Sequence, residues 1–278
     1  MSESVSRDPD VCQGPSGTST MYYTRGTKAQ EDRFRSLSFR AFIFLKRWNM
    51  KTVYQGKTKD VLEHDGRYFL RFKDDMTGTD GVFDTGGNQV AGKLEGSGLA
   101  GLKVSTYFFK EIEKAGVETH YVASNYDENL MEVKAATHFG NGIEVITRLK
   151  AVGSFIRRYG MYIESGADLD YYTEITLKDD KRDDPLITKD ALVQLHILTD
   201  EEYEELISLN KKITKIINDI LAQNGLVLYD IKLEYGRDIV TKDIILMDEV
   251  AGENMRVYKD GVYVEPIKLI DYMDKVEK

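Results

Sequence analysis

The sequence predicts an α+β fold in which antiparallel strands and two long helices follow each other without a regular repeat. Asp65-Gly66 lies between two strand-like runs and is a strong hairpin signal. Thr199-Asp-Glu-Glu202 has the pattern of a capping box, which predicts the start of a long helix. The predicted order is strands, helix, strands, helix and hairpin, and this favours α+β over alternating βαβ units.

The first predicted sheet and helix lie in the N-terminal half of the chain. Thr52–Tyr54 and Tyr68–Phe72 are rich in β-branched and aromatic residues and flank the Asp65-Gly66 turn. From Leu99 to Ala115, apolar residues recur at helical intervals. Gly116 is typical of the residue that follows a helix C-terminus, so the helix is predicted to end there.

The C-terminal half is predicted to contain a long amphipathic helix and a hairpin. The helix begins at Thr199, carries an apolar stripe and ends at Gly225. Leu226–Leu233 and Asp243–Met247 then form two strands whose pairing brings their acidic residues together. The other predicted strands are Thr119–Ala123, Leu130–Lys134, Ile143–Leu149 and Thr173–Leu177.

Composition and charge restrict the class of protein. The 278 residues are 41% hydrophobic and 31% charged, which predicts a soluble globular protein of one large domain or two, and excludes a membrane protein. The net charge of -9 repels a phosphate backbone and disfavours nucleic-acid binding. Cys12 is the single cysteine and cannot form an intrachain disulfide, so a reducing cytoplasmic location is expected. The four histidines lack the spacing of metal ligands.

Residues 1–49 form a leader whose composition differs from the rest of the chain. The leader is rich in Ser and Gly, and its basic residues outnumber its acidic residues by eight to five. Its apolar run, Phe39–Leu45, is too short to span a membrane, and no small-residue cleavage site follows. We interpret the leader as an upstream extension or misplaced start before Met50. A disordered tail and a targeting segment are the alternatives.

Removal of residues 1–49 is expected to leave activity and melting temperature nearly unchanged. The reason is that every motif and every periodic segment of the sequence begins after Met50. Activity assays and thermal melts of the truncated and full-length chains would measure the effect. A large loss of either property would assign the leader to the fold.

Two glycine-containing loops in the N-terminal half are candidate phosphate sites. In Gln55-Gly-Lys-Thr-Lys59, the glycine allows close backbone approach to a ligand, and Lys57 and Lys59 can neutralise phosphate. The loop lacks the upstream glycine of a P-loop, so an ordinary hairpin turn is the alternative. Lys73–Gly81 contains three carboxylates and two glycines, and a solvated acidic turn is its alternative.

Two further loops combine charged residues with turn residues. Arg148 lies a few residues before Gly153-Ser154, and a cation beside a hydroxyl and a glycine suits a monophosphate. A solvated basic turn at a strand end is the alternative. Leu177–Pro185 mixes both signs of charge, which is also typical of a mobile surface loop.

The strongest chemical signal is the predicted C-terminal hairpin. Strand alternation places Asp230, Lys232 and Glu234 on one face of the first strand. The second strand adds Asp248, and carboxylates on adjacent strands suit Mg²⁺ with bound phosphates. A cross-strand ion pair of these carboxylates with Lys232 is the alternative.

Taken in order, these motifs resemble the SAICAR synthetase family, the phosphoribosylaminoimidazole-succinocarboxamide synthases of de novo purine synthesis. The resemblance implies an N-terminal antiparallel β-sheet domain at 50–128 and an α+β, ATP-grasp-like domain at 129–278. The resemblance extends from Val53 to about Tyr258 and rests on Tyr54–Lys59, Asp74–Gly81, Arg148 with Ala151–Ser154, Lys178–Asp180 with Asp184-Pro185, Asp230–Gly236, and Asp248-Glu249 with Arg256.

The resemblance also implies the reaction and its ligands. ATP transfers its γ-phosphate to the carboxylate of carboxyaminoimidazole ribonucleotide (CAIR), and the amino group of L-aspartate attacks the resulting acyl phosphate. Magnesium is the implied metal. A homodimer is a further expectation for partners, and neither a nucleic acid nor a membrane is expected.

Site roles follow from the resemblance residue by residue. Lys57, Lys59 and Lys178 are the implied nucleotide contacts. Glu234 and Asp248 are the implied Mg²⁺ ligands. The implied ribotide contacts are Arg148, Ser154 and Arg256, and the residues near the reacting carboxylate and ring are Lys232, Asp184 and Asp230.

The sequence departs from the family pattern in three places. The family usually has Ser-Pro-Asp before its arginine, whereas this chain has Val250–Arg256 with Glu253 in the acidic position. Lys93–Gly98 lacks the expected asparagines, and the C-terminal helix is shortened.

Two other functions are compatible with parts of the sequence. A small-molecule kinase of the inositol-phosphate type shares the Asp-x-Lys strand, but does not explain Ala151–Ser154 together with Arg256. A non-catalytic nucleotide-binding module is the second alternative, and Lys57, Glu234 and Asp248 argue against it.

Overall fold

Three antiparallel sheets and five α-helices make up the computed structural model, which describes residues 50–79, 82–83 and 89–276. The predicted leader at 1–49 lies outside these ranges. The helices are α1 (Ser97–Lys114), α2 (Ser154–Tyr159), α3 (Lys189–Gln194), α4 (Asp200–Gln223) and α5 (Leu269–Tyr272). The strands are β1 (Lys51–Gln55), β2 (Lys59–His64), β3 (Arg67–Phe72), β4 (Asp75–Thr79), β5 (Val82–Phe83), β6 (Gln89–Lys93), β7 (Tyr121–Asn125), β8 (Leu130–Val133), β9 (Ala136–His138), β10 (Ile143–Lys150), β11 (Asp168–Leu177), β12 (Val227–Asp238), β13 (Ile244–Met247), β14 (Met255–Lys259) and β15 (Val262–Tyr263).

The sheet topology confirms the predicted α+β class. The first sheet has the order β1-β2-β3-β8-β7, and the small third sheet has the order β5-β4-β6. The second sheet has the order β11-β10-β12-β14-β15, and β9 and β13 also pair with β12. Because β8 belongs to the first sheet, that sheet continues past the predicted domain boundary at residue 128. The division into 50–128 and 129–278 stays a prediction.

The predicted hairpin at Asp65-Gly66 is confirmed. His64 lies opposite Arg67, and both turn residues have positive φ, 49° and 75°, as a type I′ turn requires. Strand β2, which pairs with both β1 and β3, was not predicted from the sequence. The strand is mostly polar, with Leu62 as its one buried residue, so its hydrophobic pattern is weak.

The predicted long helix packs against the apolar face of the second sheet. The capping box is present, with Thr199 Oγ1 accepting from the Glu202 N–H and Glu202 Oε2 accepting from the Thr199 N–H. In the middle of α4, Asn210 accepts a 2.7 Å hydrogen bond from the Tyr235 hydroxyl of β12 and donates to Thr147 of β10. These buried bonds fix the helix against one face of β10 and β12. The helix does not cover the opposite face of this sheet.

The first and second sheets are joined by a short connection between α1 and β7. Thr119 forms a parallel bridge with Leu246 of β13, and the His120 N–H donates to the Leu246 carbonyl at 2.9 Å. Strand β13 of the second sheet is therefore joined directly to the segment that leads into the first sheet. Among the described residues, no helix is long and apolar enough to cross a membrane.

Candidate active site

Strand β12 carries the predicted charges on one face. Ile231, Leu233 and Tyr235 are buried in the core, while Asp230, Lys232 and Glu234 alternate with them on the opposite face. In the pairing with β10, Glu144 lies opposite Glu234 and Arg148 lies opposite Asp230. Directly opposed residues share a face of the sheet, so a continuous charged surface crosses β10 and β12.

A cavity of about 370 Å³ lies between this charged face and the first sheet. Its walls combine the loop between β1 and β2 with residues of β12 and the segment after β13. The predicted nucleotide and metal residues therefore meet in one place. The predicted site residues in its lining are Lys57, Lys59, Lys178, Lys232, Glu234 and Asp248.

Lys59 is held by two consecutive carboxylates. Its Nζ lies 3.2 Å from Asp248 Oδ1 and 2.7 Å from Glu249 Oε1. Burial alone would lower the pKa of Lys59, but the two carboxylates outweigh this effect and raise it above its ordinary value. For the Asp248 carboxylate, burial alone would raise the pKa, but the positive charges of Lys59 and Lys178 keep that pKa below its ordinary value. The Lys59 ammonium and the Asp248 carboxylate thus remain charged at neutral pH.

Glu234 pairs with Lys178, and Lys232 pairs with a different carboxylate. The Lys178 Nζ lies 2.6 Å from Glu234 Oε1, and the Lys232 Nζ lies 2.8 Å from Glu144 Oε1. The alternative in which Lys232 pairs with Glu234 or Asp248 is therefore wrong. Burial, followed by the nearby Asp248 charge, raises the pKa of Glu234 to about 7, although Lys178 opposes the shift.

The charge of the cavity fits a bound divalent cation. Its described lining carries six carboxylates and four lysines, an excess of negative charge that would repel the phosphates of a nucleotide. No group of three or more His, Cys, Asp or Glu side chains in the described residues forms a complete metal site. Glu234 and Asp248 fit Mg²⁺ instead, because Mg²⁺ commonly takes one or two carboxylates and completes its shell with substrate phosphates and water.

A second cavity, of about 390 Å³, shares Lys178, Glu234 and Asp248 with the first. Much of the remaining lining is apolar and comes from both sheets. An apolar cavity beside lysines and carboxylates suits a nucleobase attached to phosphates. The residues that make it apolar include Tyr54, Val61, Leu70, Val133, Ala135 and Met247.

The predicted ribotide residues form a separate cluster at the other end of the charged face. Arg148, only 1% exposed, donates to Asp230 at 2.6 Å, to Glu174 at 2.9 Å and to the Ser154 hydroxyl at 2.8 Å. Arg256 donates to the same Asp230 oxygen at 2.8 Å. Arg148, Ser154 and Arg256 are thus brought together, and Asp230 is the carboxylate that the two arginines share.

Gly153 allows the chain to pass directly over the Arg256 guanidinium. The glycine has a φ of 57°, and a Cβ at this position would lie 2.9 Å from Arg256 Nη1. Both the left-handed conformation and the close approach require glycine here. The Ala151–Ser154 motif and Arg256, which the resemblance assigns to the same ligand, are therefore in contact in the structure.

Some predicted residues have other roles, and other residues were missed. Within the described part of the chain, the cavity lining does not include Asp184, whose carboxylate accepts from the Asp179 N–H at 2.7 Å. Asp74 caps α1 through the Gly98 N–H, and residues 80–81 of that acidic loop lie outside the described ranges. Glu144 and Glu253 line the cavity but were not predicted as site residues, because their positions depend on strand pairing and on the fold of the segment after β13.

Comparison with known proteins identifies the family. A family model described as SAICAR synthetase matches residues 52–275, which is most of the chain.

The chain belongs to the SAICAR synthetase family.

Similar proteins support this assignment. The chain is 54% identical over 221 residues to the phosphoribosylaminoimidazole-succinocarboxamide synthase of Clostridium tetani, an alignment that covers 79% of this chain and 97% of that protein. It is 37% identical over 209 residues to the enzyme of that name from Sulfolobus acidocaldarius, with 74% of this chain and 83% of the relative covered.

Solved structures of SAICAR synthetases share the fold. A SAICAR synthetase in complex with ADP matches with a TM-score of 0.68 and 27% identity, covering 81% of this chain and 91% of that one. The phosphoribosylaminoimidazole-succinocarboxamide synthase of Ehrlichia chaffeensis has a TM-score of 0.69 at 24% identity, covering 77% and 89% of the two chains. The resemblance and the fold class predicted from the sequence are confirmed.

Proposed function

We propose that this member of the SAICAR synthetase family is an ATP-dependent ligase that joins L-aspartate to CAIR and releases ADP and phosphate. The observation that carries the proposal is one charged sheet face with two adjoining parts. At one end, lysines and carboxylates line the cavity, and at the other end lies the arginine cluster around Asp230. The first part suits a nucleoside triphosphate, and the second suits a monophosphate ester.

The reaction requires positioning more than covalent participation by the protein. A carboxylate oxygen of CAIR attacks the γ-phosphorus of ATP, which forms an acyl phosphate and releases ADP. The aspartate amine then attacks the acyl carbon, phosphate leaves, and the nitrogen loses a proton as the amide forms. Three anionic substrates must be held together, so charge compensation and orientation are the main contributions of the site.

The nucleotide end of the site supplies cations around the polyphosphate. Lys57, Lys59 and Lys178 line this part of the cavity. Glu234 and Asp248 would hold Mg²⁺, which supplies positive charge to the ATP phosphates when bound. The paired arrangement of Lys59 with Asp248 keeps that carboxylate ionised and therefore ready to bind a cation.

Lys232 occupies the position between the two ends of the site. It lies two residues from both Asp230 and Glu234, a separation of roughly 7 Å along a strand for each. We assign to the Lys232 ammonium the neutralisation of negative charge on the phosphoryl group as this group passes from ATP to the CAIR carboxylate. The Asp184 carboxylate accepts from the Asp179 N–H within its own turn, and its place near this chemistry follows from the resemblance.

The arginine cluster would bind the ribotide phosphate. Arg256 retains 18% side-chain exposure, so its guanidinium can reach a ligand. The Ser154 hydroxyl accepts from Arg148, which shares the Asp230 carboxylate with Arg256. The family model and the curated relatives favour the ligase over a kinase of related fold. A cytoplasmic location and a homodimer belong to the same proposal.

The purified protein should release ADP only when CAIR and L-aspartate are both present. A coupled ADP-release assay with each substrate omitted in turn measures this, and a reaction without protein corrects for spontaneous hydrolysis. Equal ADP release with an inositol phosphate as the sole acceptor would favour the kinase and contradict the proposal.

A further inference from the structure

Asp248 adopts an unusual backbone conformation directly after β13. Its φ is 66°, in the left-handed region that residues other than glycine seldom occupy. Consecutive residues of a regular strand point to opposite faces, yet the side chains of Asp248 and Glu249 both reach the Lys59 ammonium. The left-handed turn at Asp248 is what allows this convergence, so the direction of its carboxylate depends on an unfavourable backbone conformation.

His120 contacts this turn from the first-sheet side. Its side chain is buried, with 2% exposure, and its Nε2 lies 3.0 Å from the backbone carbonyl oxygen of Asp248. A carbonyl oxygen can only accept a hydrogen bond, so Nε2 carries the proton. The direction of this carbonyl is set by the backbone torsions of Asp248, and the hydrogen bond therefore acts on the turn itself.

The His120 ring is itself held in place on several sides. The His120 N–H donates to Leu246 of β13, and the His120 carbonyl accepts from the Lys134 N–H at 2.6 Å. The ring of Phe109 on α1 lies 5.3 Å from the imidazole, measured between centroids. The backbone bonds hold the His120 main chain, and burial, the Phe109 ring and the Nε2 hydrogen bond restrain the imidazole beside the Asp248 turn.

We propose that His120 is a positioning residue that holds the Asp248 turn through Nε2–H and thereby aims the Asp248 carboxylate into the cavity. The inference rests on the proposed role of Asp248 as a magnesium ligand. A residue that orients a metal ligand commonly affects metal affinity although it does not touch the metal.

The test compares two substitutions with different hydrogen-bonding ability. His120→Leu removes the donor and keeps a side chain of similar bulk, whereas His120→Gln keeps an N–H of similar reach. Mn²⁺ binding is measured by electron paramagnetic resonance in the presence of a non-hydrolysable ATP analogue, together with melting temperature. His64→Leu, on the β2–β3 hairpin and outside both described cavity linings, is the matched control.

We expect His120→Leu to weaken Mn²⁺ binding about 10- to 100-fold, as for other outer-shell substitutions, and His120→Gln to retain most of the affinity. Wild-type affinity in His120→Leu would overturn the inference. Equal losses in the Leu and Gln variants would also overturn it, because packing and not the hydrogen bond would then be responsible. If His120→Leu does not fold, His120→Asn replaces it, since its shorter amide does not reach the carbonyl, and equal affinities in Asn and Gln overturn the inference.

Asp248→Asn separates this inference from the metal assignment. If Asp248→Asn loses Mn²⁺ binding while His120→Leu binds normally, the role of His120 is wrong and the metal site stands. If Asp248→Asn binds Mn²⁺ as tightly as the wild type, the metal assignment itself is wrong, and the inference is overturned with it.

Discussion

Glu234→Gln and Asp248→Asn are each expected to fold normally and to lose at least about 100-fold in magnesium-dependent turnover, which corresponds to about 2.7 kcal/mol of transition-state stabilisation. Each substitution removes an anionic oxygen and leaves the shape of the side chain almost unchanged. The described cavity lining has more carboxylates than lysines, so the ATP phosphates need the charge of a bound cation. With one anionic ligand removed, that cation is held less tightly and the γ-phosphate is misplaced.

A purely structural role for the two carboxylates predicts a different result. Glu234 pairs with Lys178, and Asp248 pairs with Lys59. Each substitution weakens the charge compensation of a lysine, so some loss of melting temperature is expected under either role. If the ion pairs were the only role of the carboxylates, that loss of stability would be the only effect. The Mg²⁺ dependence of the remaining folded protein would be unchanged.

Melting temperature and a Mg²⁺ titration of activity on the same preparations distinguish the two roles. Glu132→Gln is a matched control, because Glu132 is also ion-paired, with Arg67, but lies in the first sheet outside both described cavity linings. Wild-type Mg²⁺ dependence in both cavity variants would contradict the metal assignment.

Local patterns in the sequence were sufficient to predict much of the fold. The capping box at Thr199, the turn at Asp65-Gly66 and the alternation along β12 each depend on neighbouring residues, and all three are present in the structure. Strand β2 was missed because its residues are mostly polar and its position comes from pairing with β1 and β3. Pairing between strands is a non-local property that a local pattern does not contain.

In the candidate site, too, local sequence patterns predicted some positions, and pairing between distant segments determined the others. Alternation alone placed Asp230, Lys232 and Glu234 on one face, as observed. The observed partner of Lys232 was not predicted, because it depends on the register between β10 and β12, which places Glu144 within reach. His120 shows no metal-ligand spacing in the sequence, and its contact with Asp248 joins residues 128 positions apart.

Arg148→Met is expected to cause the largest loss of stability among the site variants. The guanidinium is 1% exposed and compensates both Asp230 and Glu174. Breaking buried ion pairs of this kind costs about 3 to 5 kcal/mol. We expect about 3 kcal/mol, because Arg256 still contacts Asp230 and Arg158 still contacts Glu174. For a chain of this size, that loss lowers the melting temperature by roughly 6 to 12 °C.

Arg256→Met should affect substrate binding more than stability. Arg256 retains 18% side-chain exposure, and Asp230 keeps its bond to Arg148, so the melting temperature is expected to change by only a few degrees. The KM for CAIR should rise roughly 10- to 100-fold, because a hydrogen bond to a charged phosphate contributes about 1.5 to 3 kcal/mol. Arg182→Met, which removes an exposed ion pair with Asp179, controls for the loss of a surface charge. If Arg256→Met instead melts as early as Arg148→Met and retains the wild-type KM, the cluster holds the sheet together and is not the ribotide site.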